Sequence, residues 1–191
     1  MTLPRIRLEE DEDPREEAGG EEVFGKVTPL KTRYEVFFSG EVNRKNILDV
    51  TKILQDAHSD DEVILNITTS GGDLAALDLL EGLVGEIDNF TTVASGNCLS
   101  AGLYILMLGK TRKAYKYSTF MLHEASTSLG QDQISHHTSC IDILRTNTEA
   151  RLHDFFGDYF SNEELSYIKS GKEFWFTAWE ALNRGIIHEI I

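Results

Sequence analysis

The sequence predicts an α/β fold, and three observations carry the prediction. From Arg33 onward, strand-like and helix-like segments alternate. The run Val63-Ile64-Leu65-Asn66-Ile67 is short and almost continuously apolar, as a parallel strand buried on both faces requires. Two Gly-rich turns, Ser70-Gly71-Gly72 and Gly96 to Gly102, fall where a strand-like run gives way to a helix-like one. Strand–helix alternation of this kind closes through right-handed crossovers onto a mainly parallel sheet.

Taken in order, Tyr34-Glu35-Val36-Phe37-Phe38 reads as a strand ending at Ser39-Gly40, and Ile47, Val50, Ile53, Leu54 and Ala57 recur at helical spacing. After the strand at Val63–Ile67, Asp73 is placed to cap a helix with Leu74, Leu77, Leu80, Val84 and Ile87 on its inner face. Thr91-Thr92-Val93-Ala94 predicts the next strand and Ser100 to Leu108 the next helix, with Gly109 as the residue that closes it. Ala114-Tyr115-Lys116-Tyr117 and Phe120-Met121-Leu122 predict two further short strands, with Tyr115 and Tyr117 on one face of the first. A long helix is expected from about Gln131 to Tyr159, with Ile134, Ile141, Leu144, Leu152, Phe155 and Tyr159 along one stripe. Its polar start and apolar end suit a helix that projects from the body and pairs with a neighbour, with burial against its own sheet the more frequent outcome. Ser161-Asn162-Glu163-Glu164 and Thr177-Ala178-Trp179-Glu180 are capping-box sequences, each starting a short helix, the second ended by Gly185.

Composition narrows the function. The chain has 191 residues, 41% of them apolar, enough for one substantial core. No apolar run approaches the ~18 residues that span a bilayer, and the N-terminus lacks the apolar centre of a secretion signal. Two cysteines, Cys98 and Cys140, make no disulfide framework, so a reducing, cytoplasmic setting is expected. The net charge of −14 opposes nucleic-acid binding, which needs clustered Lys and Arg. Residues 1–22 hold nine acidic side chains against three arginines. The expected division is therefore an acidic, flexible leader over residues 1–30 and one folded domain over 31–191.

The chemistry centres on Ser100, at the start of a helix and framed by Gly96 and Gly102, with His123 following 23 residues later after an apolar strand-like run. A serine hydroxyl becomes a nucleophile when a base takes its proton and a third group orients that base. A helix start favours the negative charge that develops there. The backbone N–H groups of Gly71 and Ala101 are the natural oxyanion donors, since glycine permits close approach and Ala101 directly follows the nucleophile. Cys98 reads as packing within the turn, and Trp175 and Trp179 as core or subunit packing. The histidines form no metal-ligand cluster, and no metal or cofactor is expected.

The segment from about Val36 to Ile191 resembles the proteolytic subunit of the Clp protease, a serine peptidase in the same superfamily as the crotonases. Ile67-Thr68-Thr69-Ser70-Gly71-Gly72 is similar to the family's Ile-Asn-Ser-Pro-Gly-Gly turn. Gly96-Asn97-Cys98-Leu99-Ser100-Ala101-Gly102 resembles its nucleophile motif, and Met121-Leu122-His123-Glu124-Ala125 its Met-Ile-His-Gln-Pro. Lys172-Glu173-Phe174-Trp175-Phe176-Thr177-Ala178-Trp179-Glu180-Ala181 resembles the family's segment bearing the third triad residue. The resemblance implies a ClpP/crotonase-like fold of repeated β-β-α units with a projecting handle helix. It further implies a serine endopeptidase with Ser100 as nucleophile, His123 as base and Glu173 as the orienting acid. Where the family has Asp, this chain has Glu173, and Asp132, Asp142 and Glu124 stand as alternatives. Ser70 replaces the family's Pro and Leu99 its Ala, changes expected to reshape the substrate groove. The resemblance also implies a homo-oligomer, a seven-membered ring stacked as a tetradecamer through the long helix, that takes protein or peptide substrates from an AAA+ unfoldase ATPase. A ring subunit serving as scaffold, and a crotonase-like acyl-CoA enzyme, are the competing expectations.

Overall fold

The computed structural model describes residues 31–125 and 138–191, with the side chains of 138–141 outside that description. The leader expected over 1–30, the first turns of the long helix and the alternative acid Asp132 lie outside the described residues.

Among the described residues, seven strands and six α-helices follow in the order β1 (Arg33–Ser39), α1 (Arg44–Leu54), β2 (Glu62–Thr69), α2 (Leu77–Val84), β3 (Asn89–Leu99), α3 (Ala101–Met107), β4 (Thr111–Ala114), β5 (Thr119–Leu122), α4 (Thr138–Phe156), α5 (Asn162–Lys169), β6 (Phe174–Thr177), α6 (Ala178–Arg184) and β7 (Glu189–Ile190). The main sheet runs β1-β2-β3-β4-β7, all parallel, with β5 parallel to β3 and β6 antiparallel to β5. Val63, Leu65 and Ile67 on the central β2 are fully buried, as the apolar run predicts. Side-chain caps open α1, α5, α6 and the turn before α2. Asn43 Oδ1 accepts from Asn46 N at 2.9 Å before α1. Asp73 Oδ1 accepts from Ala75 N at 2.9 Å, opening a 3-10 turn (Leu74–Ala76) that leads into α2. Both capping boxes form, at Ser161 and at Thr177.

One irregularity positions the site. Between Ile67 and Thr69 the β2–β3 register slips, so that Ile67 faces Ala94 but Thr69 faces Cys98. The bulge bends β3 and divides its pairing. Thr91–Ala94 run beside β4, whereas Asn97–Leu99 run beside β5. The strand expected over Thr91–Ala94 thus continues to Leu99 and delivers its end to α3.

Elsewhere the chain departs from expectation for identifiable reasons. Tyr115 and Tyr117 are exposed in the turn after β4, because Ser118 Oγ and Tyr115 N both bond to Ala94 O and turn the chain back at the bulge. Gly109 does not take the left-handed conformation that Gly185 takes after α6 (φ 79°). Its value is lack of bulk, since a Cβ there would stand 2.2 Å from Thr92 Oγ1. Trp175 and Trp179 are exposed, at 52% and 55%, and contribute little to the core of the single chain. That core is completed by an aromatic cluster of Tyr104, Phe155, Phe156, Phe160, Phe174 and Phe176, which fixes the end of α4 against β6. The side chains of Asp142–Asn147, at the start of the described part of α4, are all exposed, whereas Leu152 and Phe156 are buried. Among the described residues, no helix is long and apolar enough to cross a membrane.

Candidate active site

β3 and β5 are neighbours, and both functional side chains stand just past their ends. Leu99 pairs with Met121 in the last rung of the ladder, and Ser100 N donates to Met121 O at 2.7 Å. His123 follows one residue after β5 ends, which brings its Nε2 to 2.7 Å from Ser100 Oγ. With Nε2 in its unprotonated form, the serine hydroxyl donates to it, the arrangement a general base needs.

Ser100 is the single described residue other than glycine with positive φ (φ 52°, ψ −119°). A β-carbon in that region is strained, and strain of this kind marks sites where the chain must present one side chain at a sharp strand-to-helix corner. The corner is held by tight packing. Gly71 has φ 104°, and a Cβ there would stand 2.7 Å from Ser100 Cβ and 3.2 Å from Ser100 Oγ. A Cβ on Gly102 would meet Thr69 Cγ2 at 2.3 Å. The two Gly-rich turns therefore interlock, with the first lying directly against Ser100. Cys98, two residues before Ser100, is fully buried and bonds Gly102 O through its Sγ at 3.2 Å. Burial pushes its thiol well above the usual range, consistent with packing within the turn.

The two expected oxyanion donors differ. Ala101 is the first residue of α3, so its N–H has no partner within the helix. Gly71 N–H instead donates to Thr69 Oγ1 at 3.0 Å, while Gly71 O accepts from Val42 N at 2.8 Å. Glu173, the expected orienting acid, is engaged elsewhere. The β5–β6 ladder pairs Thr119 with Thr177 and Leu122 with Phe174. The ladder ends there, so that His123 directly follows β5 and Glu173 directly precedes β6. The Glu173 carboxylate, however, accepts from Trp175 Nε1 at 2.8 Å through Oε2, and no hydrogen bond from the described residues reaches His123 besides that of Ser100.

The Gly-Gly turn, the serine corner, His123 and Glu173 follow in that order along the chain, and residues 18–191 match the family described as Clp protease. The chain belongs to the Clp protease family. The ATP-dependent Clp protease proteolytic subunit 2 of Pseudomonas aeruginosa is 27% identical over 172 residues, which cover 85% of this chain and 82% of that protein. Among solved structures, a mutant of ClpP1 from Listeria monocytogenes has a TM-score of 0.67 and 25% identity, covering 82% of this chain and 90% of that one. The mixed α/β sheet with its helices is thus the ClpP fold, and the chain is a homologue of Clp proteolytic subunits. The family match begins inside the segment expected to be a leader.

In this Clp-family chain, Ser100 and His123 open onto a cleft of about 420 Å³ walled by Ser70, Leu74, Ala125, Leu144 and Thr148. Ser70 lines it, as its place in the Gly-Gly turn suggests, but Leu99 is buried and faces away from solvent. One wall is α4, which Arg151 holds to the floor by donating to Leu74 O and Glu81 Oε2, both at 3.1 Å, and by pairing with Asp78. Among the described residues no three His, Cys, Asp or Glu side chains gather at one point. Thr69 carries no assigned role in the sequence, and Trp175, expected to pack in the core or between subunits, instead bonds Glu173. Thr69 and Trp175 hold the groups assigned to Gly71 and Glu173, and their only sequence signal is proximity to those positions.

Proposed function

We propose that this protein is a serine endopeptidase of the ClpP type. The observation that carries the reading is the 2.7 Å contact of Ser100 Oγ with His123 Nε2 at a positive-φ corner packed on Gly71. Ser100 Oγ attacks the peptide carbonyl carbon and passes its proton to His123 Nε2, while the carbonyl π pair moves to oxygen. The N–H groups of Ala101 and Gly71 stabilise that oxyanion. Collapse expels the amine, which takes the proton from His123, and water then repeats the sequence to release the acyl group from Ser100. Glu173, directly before β6 where the β5–β6 ladder ends beside His123, orients the imidazole by accepting from Nδ1–H after leaving Trp175. Activity takes place inside a ring of identical subunits, stacked through α4 and supplied by an ATP-dependent unfoldase. The family membership, and the name of the Pseudomonas relative as an ATP-dependent protease subunit, support that setting.

A second reading, a weak or inactive ring subunit acting as scaffold, is favoured by two specific contacts: Glu173 engaged by Trp175, and Gly71 N–H by Thr69. Labelling with a fluorophosphonate, read by intact mass on wild type and Ser100→Ala in a ring-sized fraction, separates the two. The peptidase reading expects an adduct on wild type alone. Absence of an adduct on the assembled wild type selects the scaffold.

A further inference from the structure

Thr69 sits at the end of β2 and is only 3% exposed, yet its hydroxyl is committed to one of the two backbone groups that the proposed reaction needs. Resting on the peptidase reading above, we propose that Thr69 is a positioning residue whose hydroxyl competes with the substrate oxyanion for the Gly71 N–H, holding half of the oxyanion hole closed until substrate arrives.

The geometry isolates the peptide unit between Ser70 and Gly71 as the part that moves. On its N-terminal side Thr69 is fixed, because β2 pairs with Cys98 there and the Thr69 methyl packs against Gly102. On its C-terminal side the next peptide is fixed, because Val42 N donates to Gly71 O at 2.8 Å and Asp73 N donates to Val42 O at 2.7 Å. Between these anchors, Ser70 is exposed and lines the cleft, and Gly71 has the conformational freedom to reverse the intervening peptide. In one orientation its N–H points at Thr69 Oγ1, 3.0 Å away. In the other it turns toward Ser100, whose Oγ lies 3.2 Å from the position a Gly71 Cβ would take. The hydroxyl is a good resting acceptor, since a buried N–H without a partner is costly. A carbonyl oxygen gaining full negative charge is a stronger acceptor than a hydroxyl, so the transition state draws the N–H away from Thr69 where the ground-state carbonyl does not. The contact is thus a brake specific to the chemical step.

The test compares wild type, Thr69→Ser, Thr69→Val and Thr69→Ala as assembled full-length protein, with a fluorogenic peptide, a peptide boronate and amide hydrogen exchange at Gly71. Thr69→Val keeps the methyl that packs on Gly102 and removes only the competing acceptor. Its kcat is expected to rise about three- to tenfold with KM unchanged, the scale of losing one neutral hydrogen bond from the ground state. The boronate, which places an oxygen where the oxyanion forms, is expected to bind tighter by a similar factor, and Gly71 to exchange faster. Thr69→Ser keeps the acceptor and is expected to stay within about twofold of wild type. Thr69→Ala gives the same direction as Val and serves if Val fails to fold. A folded Val or Ala variant with unchanged or reduced kcat overturns the proposal, as does unchanged exchange at Gly71. A different pattern marks failure of the peptidase reading itself. In that case wild type neither hydrolyses peptide nor binds boronate, although Thr69→Val still speeds exchange at Gly71, and the competition falls with it.

Discussion

At the scale of single residues, the site depends on what is missing as much as on what is present. Gly71 lies so close to the nucleophile that any side chain there collides with Ser100, and its φ of 104° is one that other residues adopt under strain. Gly71→Ala is therefore expected to cost about 1–3 kcal/mol of stability, measured by denaturant unfolding, and to abolish peptide hydrolysis even where the variant is folded. Glu173 poses the opposite question, because the acid is present but engaged elsewhere. Glu173→Gln retains shape and removes charge. If Glu173 orients His123 during turnover, kcat falls by about 10²-fold or more, with the stability of the chain unchanged. An unaltered kcat would assign the carboxylate to Trp175 alone. The meeting of Ser100 and His123 was legible in the sequence because their neighbours encode local structure: glycines around a corner, and an apolar strand before the histidine. Thr69 and Trp175 were not legible. Their roles come from hydrogen bonds to a turn and to an acid whose positions only the tertiary pairing of β2, β3, β5 and β6 defines.

Among elements, the helix starts were the most readable feature, since a cap is a contract between residues three apart. Asn43 before α1 is a cap of the same kind that drew no notice, and Asp73, Ser161 and Thr177 cap as their spacing predicts. The strands were less readable. β6, the four residues Phe174–Thr177, has no partner nearby in sequence and forms only because β5 is waiting more than fifty residues earlier. β3 runs past its expected end because of a bulge that no periodicity announces. α5 and α6 are joined by a bidentate pair, Arg184 to Glu164 at 2.7 and 3.1 Å, with the guanidinium also over the Phe160 and Phe174 rings. Hydrogen bonds from Arg184, then from Ser161 N, hold the Glu164 carboxyl down to about 2. Its folded value lies below the unfolded one, so its contribution to stability is complete above about pH 4.5 and is lost as pH falls toward 2. Thermal unfolding followed from pH 6 to pH 2.5 is expected to show that loss in wild type, and Glu164→Gln to show a lower Tm at pH 6 with a flatter acid limb.

Over the whole molecule, the fold class and its parallel core were readable from alternation and apolar runs, whereas the surface was not. Large apolar side chains remain exposed on the single chain, including Phe37, Tyr117, Ile143, Trp175 and Trp179. Surfaces of that kind usually meet a partner. Sedimentation is expected to give one multimeric species of the same mass for wild type and Ser100→Ala, because removing a hydroxyl at the corner leaves these surfaces intact. A monomer at micromolar concentration would remove the compartment from the proposed function. The buried thiol of Cys98 has a further use at this scale. Lying two residues behind the nucleophile, with no access to solvent and with its Sγ tied to Gly102 O, it is a clock built into the polypeptide. An alkylating reagent stays silent at this position while the interlocked turns hold, and marks it only once the corner opens. Peptide-resolved mass spectrometry of a pulse of iodoacetamide would therefore time the opening of the catalytic corner without any substrate. Comparing that time with the loss of secondary structure would tell whether the corner gives way before the sheet that carries it.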